Sequence, residues 1–182
     1  SSILLNQKYN ATVFAADLWV TPTENYERFE SLNIADKVLP FAVDATQGLP
    51  FAHNYFDILF SVDSYHYFGS NEQMLPALLP FVKKGGYIAV AVPGLKKEFT
   101  DGTPEELKPF FNDAITFAEL DPNFYTPEWW RKLWSKTPGI EIISCREMDA
   151  HDKGWEEWLQ SPNPYAQHDV EMMKAENGQY FN

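Results

Sequence analysis

Four short apolar runs, separated by spacers long enough for helices, constrain this chain more than any other feature. They are Thr12 to Ala16 closed by Asp17, Val38 to Val43 closed by Asp44, Phe56 to Ser61, and Gly85 to Val92. Runs of strand length in that rhythm predict an α/β fold built on a parallel sheet. Ligands of such sheets bind outside the carboxyl ends of the strands. Asp17 and Asp44 stand there, just past two strands, as acceptors for the hydroxyl and amine groups of a nucleoside.

The spacers carry their own signals. Ser1 to Tyr9 reads as the tail of a helix. Thr23 to Leu32 sets Tyr26, Phe29 and Leu32 at helical spacing. Ala45 to Asn54 holds Gly48, Pro50 and Asn54 and reads as a loop. Met74 to Val82 is helical despite Pro76 and Pro80, and Lys84-Gly85-Gly86 turns into the fourth strand. Phe99 to Asn123 is a polar, proline-bearing excursion. Thr126 is placed to cap a helix, with Pro127 at its first position and Glu128 to Lys136 following. Ile140 to Cys145 reads as a fifth strand, and Trp155 to Gln160 and Asp169 to Glu176 as helices. Gly178 to Asn182 has the look of a strand cut off as it begins.

Bulk properties remove several classes of function. A chain of 182 residues is one domain by length, so residues 1–182 are expected to form a single unit. Fourteen basic against 26 acidic residues give −12, a field that repels nucleic acid and anionic membrane. The single cysteine, Cys145, excludes an internal disulfide framework and a Cys-rich zinc site, and it fits a reducing cytoplasm. His53, His151 and His168 are isolated, so no metal is expected. No apolar stretch reaches the length of a membrane span. The sequon Asn10-Ala11-Thr12 overlaps a buried strand start and reads as chance. The chain opens Ser-Ser-Ile-Leu-Leu, a helix begun in mid-stride, which raises the expectation of residues upstream.

The order of parts resembles a class I S-adenosylmethionine-dependent methyltransferase, and more narrowly the UbiE-like or type 11 group, which includes members described as cyclopropane-synthase-like. Four features carry the likeness, which spans Ser1 to about Cys145. They are Phe14-Ala15-Ala16-Asp17-Leu18; Val43-Asp44-Ala45; Leu49-Pro50-Phe51 leading into Phe56 to Ser61; and Leu79 to Val92. Ser64-Tyr65-His66-Tyr67-Phe68 falls where the family often has a Leu-His-His-Phe-like stretch. The resemblance implies a Rossmann-like, doubly wound, mostly parallel sheet with helices on both faces, truncated at both ends. The family's first strand and glycine-rich loop would precede Ser1, and its last strand would follow Tyr180.

It also implies roles. Asp17 would accept hydrogen bonds from both ribose hydroxyls of S-adenosylmethionine, and Asp44 would take the adenine amino group beside the Ala45 amide. Leu18 and Trp19 could cover the adenine face. The backbone of Ser61 would border the methionine part. His66 is a candidate general base, and Tyr65, His66 and Trp129 are candidate walls of the acceptor pocket. Trp130, Trp134, Trp155 and Trp158 read better as packing, and Glu156, Glu157, Asp169 and Glu171 as solvated helix faces. Substrate selectivity would sit in Leu95 to Asn123 and after Cys145.

The expected activity is methyl transfer to a small molecule in the cytoplasm, yielding S-adenosylhomocysteine, with a homodimer as one expected assembly and no nucleic-acid partner. Two other readings stay open. Asp17 also suits a nicotinamide-dependent oxidoreductase, and the fold could serve a non-catalytic partner domain.

Overall fold

A computed structural model describes residues 1–100, 102–110 and 124–181. The Phe99–Asn123 excursion falls partly outside those residues, as does the side chain of His168. The chain forms two compact units, Ser1–Val62 with Ala77–Ala89, and Asp63–Pro76 with Val90–Asn182.

The first unit opens with α1 (Ser2–Tyr9), ended by Asn10 in the left-handed conformation at φ 54°. Next come β1 (Val13–Asp17), α2 (Pro22–Ser31) and β2 (Val38–Ala42). Helix α2 begins where the sequence supplies a cap: Thr21 Oγ1 accepts the Glu24 N–H at 3.2 Å, and Pro22 follows. Its inner face buries Phe29 against Ala15, Ile34 and the fully buried Val38. Burial of Phe29, Ile34 and Val38 stabilises by about 1.5 to 3 kcal/mol each. Strands β1 and β2 pair in parallel, with Val13 opposite Val38 and Asp17 opposite Ala42.

Strand β3 (Phe56–Val62) pairs with β4 (Val82–Ala91). The Asn54 and Tyr55 amides donate to Pro80 and Phe81 at 2.8 and 3.0 Å, ascending together as a parallel pair does. A Cβ on Gly86 would stand 2.6 Å from the Asp57 carbonyl oxygen, so glycine is what allows β4 to lie this close. β4 thus starts at Val82, ahead of the Gly85 expected from sequence, and shortens the preceding helix α3 to Met74–Leu78 with a 3₁₀ turn after it.

The expected single sheet is hydrogen-bonded as two pairs, β1 with β2 and β3 with β4. Side chains link the pairs. Phe51 meets Phe14 at 5.0 Å, Phe41 at 5.3 Å and Phe56 at 4.8 Å, so one ring from the Leu49-Pro50-Phe51 loop touches three strands. Edge-to-face pairs of this kind are worth about 0.5 to 1.5 kcal/mol each beyond burial.

In the second unit, α4 (Pro127–Trp134) is capped as its sequence predicts, with Thr126 Oγ1 accepting the Trp129 N–H at 3.1 Å. Thr126 also donates its N–H and Oγ1–H to Glu98 Oε1, at 2.9 and 2.6 Å. Helices α5 (His151–Leu159) and α6 (Pro164–Glu176) follow. Leu95, Leu107, Tyr180 and Phe181 form the core, with Trp155 and Met173 packed against it.

Two sequence expectations fail here. Ile140 to Cys145 is not a strand: no ladder partner meets it among the described residues, and Ile143 is 74% exposed. Its β-branched residues supply propensity, but propensity without a neighbouring strand leaves the backbone unpaired. Asp169 is not a solvated face, since its Oδ2 accepts the Trp158 indole N–H at 2.9 Å and ties α6 to α5. The expected strand at the chain's end amounts to one antiparallel bridge, Phe181 with Leu95.

Candidate functional site

In the first unit, pairing of β1 with β2 brings together the strand ends that carry Asp17 and Asp44. The Val43 amide donates to the Asp17 carbonyl at 3.1 Å, so Asp44 emerges one residue beyond the point where the two strands part. Each acid also makes the turn that ends its strand. Asp17 Oδ1 accepts the Trp19 and Val20 amides at 2.8 and 2.9 Å. Asp44 Oδ1 accepts the Thr46 amide at 2.9 Å and the Thr46 hydroxyl at 2.6 Å, capping a 3₁₀ turn over Ala45–Gln47. Those Thr46 bonds hold the Asp44 carboxyl below its ordinary range, so it is ionised at neutral pH.

In both acids the Oδ1 bonds fix the rotamer, while Oδ2 accepts no hydrogen bond among the described residues. Two oriented carboxylates with open acceptor atoms suit hydroxyl and amine donors. Beside them, Leu18 and Trp19 are 61% and 73% exposed, large apolar surfaces held next to a polar site. Ala45 opens the 3₁₀ turn, and Ser61 lies partly buried near the end of β3.

The remaining candidates belong to the second unit. Tyr65 and His66 sit in a 3₁₀ turn over Tyr65–Tyr67 and are 0% and 1% exposed. Tyr65 packs against Phe68, Trp130 and Trp134 at 5.3, 5.9 and 6.0 Å, and His66 against Tyr67 and Phe124 at 4.1 and 5.6 Å. A Cβ on Gly69 would collide with the Tyr65 ring at 2.1 Å, so glycine seals that side. Burial pushes the His66 imidazole down to about 4 and the Tyr65 phenol up to about 12. The Trp134 indole, near the phenol but outside hydrogen-bond geometry, slightly opposes the second shift. Both side chains are therefore neutral at neutral pH, and His66 is a weak base. Tyr65 Oη, His66 Nδ1 and the indole nitrogens of Trp130 and Trp134 are buried without hydrogen-bond partners among the described residues. Trp129 is stacked face to face on Tyr125 at 3.5 Å and reaches the cluster through Trp130, at 5.1 Å.

Asp63 escaped the sequence reading. It stands one residue past β3, whereas Asp17 is the last residue of β1, and it holds a left-handed φ of 53° while its amide donates to the Ala91 carbonyl at 2.8 Å. The residue reaches solvent, yet its carboxyl is crowded enough that desolvation raises its proton affinity. The same acid-after-strand pattern marks it, because β3 runs to Val62, one residue beyond the Ser61 expected from sequence.

Residues 1–90 match the family model described as a methyltransferase domain. No curated protein matches the chain. Among solved structures, the chain is similar to the MccD protein, with a TM-score of 0.67 at 13% identity over 99% of this chain and 80% of that one. It is similar to geranyl diphosphate C-methyltransferase from Streptomyces coelicolor A3(2), solved with Mg2+, geranyl diphosphate and S-adenosyl-L-homocysteine, with a TM-score of 0.63 at 13% identity. That match covers 98% of this chain and 64% of the other. A sarcosine dimethylglycine methyltransferase from Galdieria sulphuraria, so described provisionally, aligns with a TM-score of 0.54 at 12% identity over 99% of this chain and 70% of that one.

Proposed function

The chain belongs to the methyltransferase domain family, and from that premise we propose that it transfers a methyl group from S-adenosylmethionine to a small molecule. The observation that supports this best is the pair of strand-end carboxylates, each with Oδ1 engaged in its own turn and Oδ2 open. Asp17 would receive the ribose hydroxyls and Asp44 the adenine amine, with Ala45 beside it, Ser61 along the methionine part, and Leu18 and Trp19 against the flat base. The sulfonium is itself an activated methyl donor, so the protein's main task is alignment of the acceptor. A weakly basic, buried His66 fits that division of labour as a wall of the pocket better than as a proton acceptor. Tyr65 and Trp129 are proposed as further walls, and residues 1–182 as one catalytic domain.

The structural relatives act, by their descriptions, on geranyl diphosphate in one case and on sarcosine and dimethylglycine in another. Such different acceptors on one fold support a small-molecule substrate without choosing it. No helix among the described residues is long and apolar enough to cross a membrane.

Calorimetric titration with S-adenosylhomocysteine tests the reading, beside Asp17→Ala, Asp44→Ala and a parallel titration with NAD. Saturable nucleoside binding that weakens in both variants supports it. Binding of NAD in preference, or of neither ligand, would overturn it.

A further inference from the structure

The second unit holds a cavity of about 350 Å³ to which none of the proposed cofactor-binding or pocket-wall residues belongs. It is an open depression among α5, α6 and the residues just after α6, with Lys96 on its lining. Small-ligand sites begin at about this size, roughly 300 Å³, and combine apolar walls with a few placed polar groups. The walls here are Trp155, Leu159, Val170, Met173 and Phe181. Trp155 and Phe181 meet at 6.3 Å with planes tilted 54°, so the indole stands against a buried ring that fixes it.

The charged groups around the cavity are not equivalent. Lys96 Nζ donates to the Gly178 carbonyl at 2.8 Å, and its backbone amide donates to Tyr180 at 2.7 Å. Lys174 Nζ donates to Glu171 at 2.6 Å. Glu176 is 1% exposed, and its two oxygens accept the Gly178 and Tyr180 amides at 2.7 Å each. Lys96 and Glu176 hold the wall together, while Lys174 is paired within its own helix. Among the described residues the Glu156 carboxylate meets Gln160 alone, at a long 3.5 Å, and Asp152 is 93% exposed beside His151 Nε2 at 3.0 Å. The acids are the charges least engaged, while both ammonium groups are held by partners.

We propose that this cavity binds a small amphiphile carrying a quaternary or protonated amine. Its apolar body lies against Leu159, Val170 and Met173, and its cationic head lies over Trp155 within the field of Glu156 and Asp152. An indole is the best ring surface for a cation, and a neighbouring carboxylate reinforces it. Both acids belong to one wall helix, so they act on the same end of the ligand. The inference stands on the second unit alone and does not depend on the methyl donor.

Three probes of matched chain length test it by calorimetry on the protein: hexyltrimethylammonium, 1-hexanol and hexanoate. The ammonium should bind saturably, about fivefold tighter than the alcohol, the preference expected of a partly exposed cation–ring contact. Hexanoate should bind weakest. Asp152→Asn with Glu156→Gln should bring the ammonium down to the level of the alcohol, and Trp155→Ala should abolish binding of both. The two acids are exposed, so their replacement tests the proposal even where Trp155→Ala fails to fold. Tighter binding of hexanoate, an ammonium preference that survives the acid replacements, or no saturable binding of any probe would overturn the proposal.

Discussion

The carboxylates at the ends of β1 and β2 and the ring cluster around Tyr65 treat polarity in opposite ways. Asp17 and Asp44 each satisfy one oxygen locally and keep the other open among the described residues, so an acceptor atom stays available without burying an unpaired charge. Tyr65, His66 and Trp130 are almost wholly enclosed, and each keeps a polar atom without a hydrogen-bond partner among the described residues. An unmade hydrogen bond of this kind costs about 1 to 3 kcal/mol. Packing offsets it, because each ring touches several others. The first arrangement suits recognition, and the second suits a rigid wall.

The largest test of that contrast removes a ring. Trp130→Ala should lower stability by about 3 to 5 kcal/mol, since Trp130 is 4% exposed and meets Tyr65, Tyr125, Trp129 and Trp134. Urea unfolding monitored by circular dichroism would measure it. A loss below 1 kcal/mol would mean that the cluster is not a structural wall.

His66 gives the next effect, with a definite sign. Its folded value of about 4 lies below the ordinary 6.5, so the unfolded chain takes up a proton at a higher pH than the folded one. Stability contributed by the neutral imidazole is complete above pH 6.5 and is lost as pH falls toward 4, by about 3 kcal/mol in total. His66→Phe should remove that part of the slope. Urea midpoints of both proteins from pH 4 to 7 would show it as a difference that grows on acidification. Parallel curves would mean that His66 is solvated and open to the base role.

For the strand-end acids the effect is on binding. Asp17→Ala should weaken S-adenosylhomocysteine about 100-fold, the loss expected for two hydrogen bonds to a charged acceptor. Asp44→Ala should weaken it about tenfold, for one such bond. The ranking sharpens the comparison, because neither change should alter the unfolding midpoint as Trp130→Ala does. Equal losses in binding and in stability would make the acids turn formers and nothing more.

Much of this was legible because local chemistry and fold agreed. Thr21-Pro22 and Thr126-Pro127 announce helix starts through a hydroxyl acceptor and a residue that needs no N–H, and both helices begin there. The acid-after-strand pattern placed Asp17 and Asp44 where β1 and β2 end, and the structure has each acid making the turn there. What was not legible depends on partners distant in sequence. Ile140 to Cys145 has the composition of a strand, but a strand exists only where another accepts its ladder. Asp169 looks solvated until Trp158 is placed opposite it. The enclosure of His66 rests on Phe124 and on its own turn, and the sequence reading saw only an imidazole at a useful position.

The smallest effect separates capping from recognition most cleanly. Thr126 and Asp44 use the same device, a side-chain oxygen accepting the amide that begins a helical turn. Thr126 belongs to no proposed site, so Thr126→Ala should cost about 1 kcal/mol of stability from the lost cap. The bonds to Glu98 would add to that loss, and Thr126→Ser should restore most of it because the hydroxyl is retained. Asp44→Asn keeps an oxygen for the Thr46 amide in the same way, so its turn should survive. It removes the charge, however, and its nucleoside affinity should fall while its unfolding midpoint stays near that of the unaltered protein. If Asp44→Asn instead behaves like Thr126→Ser in both measurements, the carboxylate at the end of β2 is a cap alone, and recognition of the nucleoside rests on Asp17.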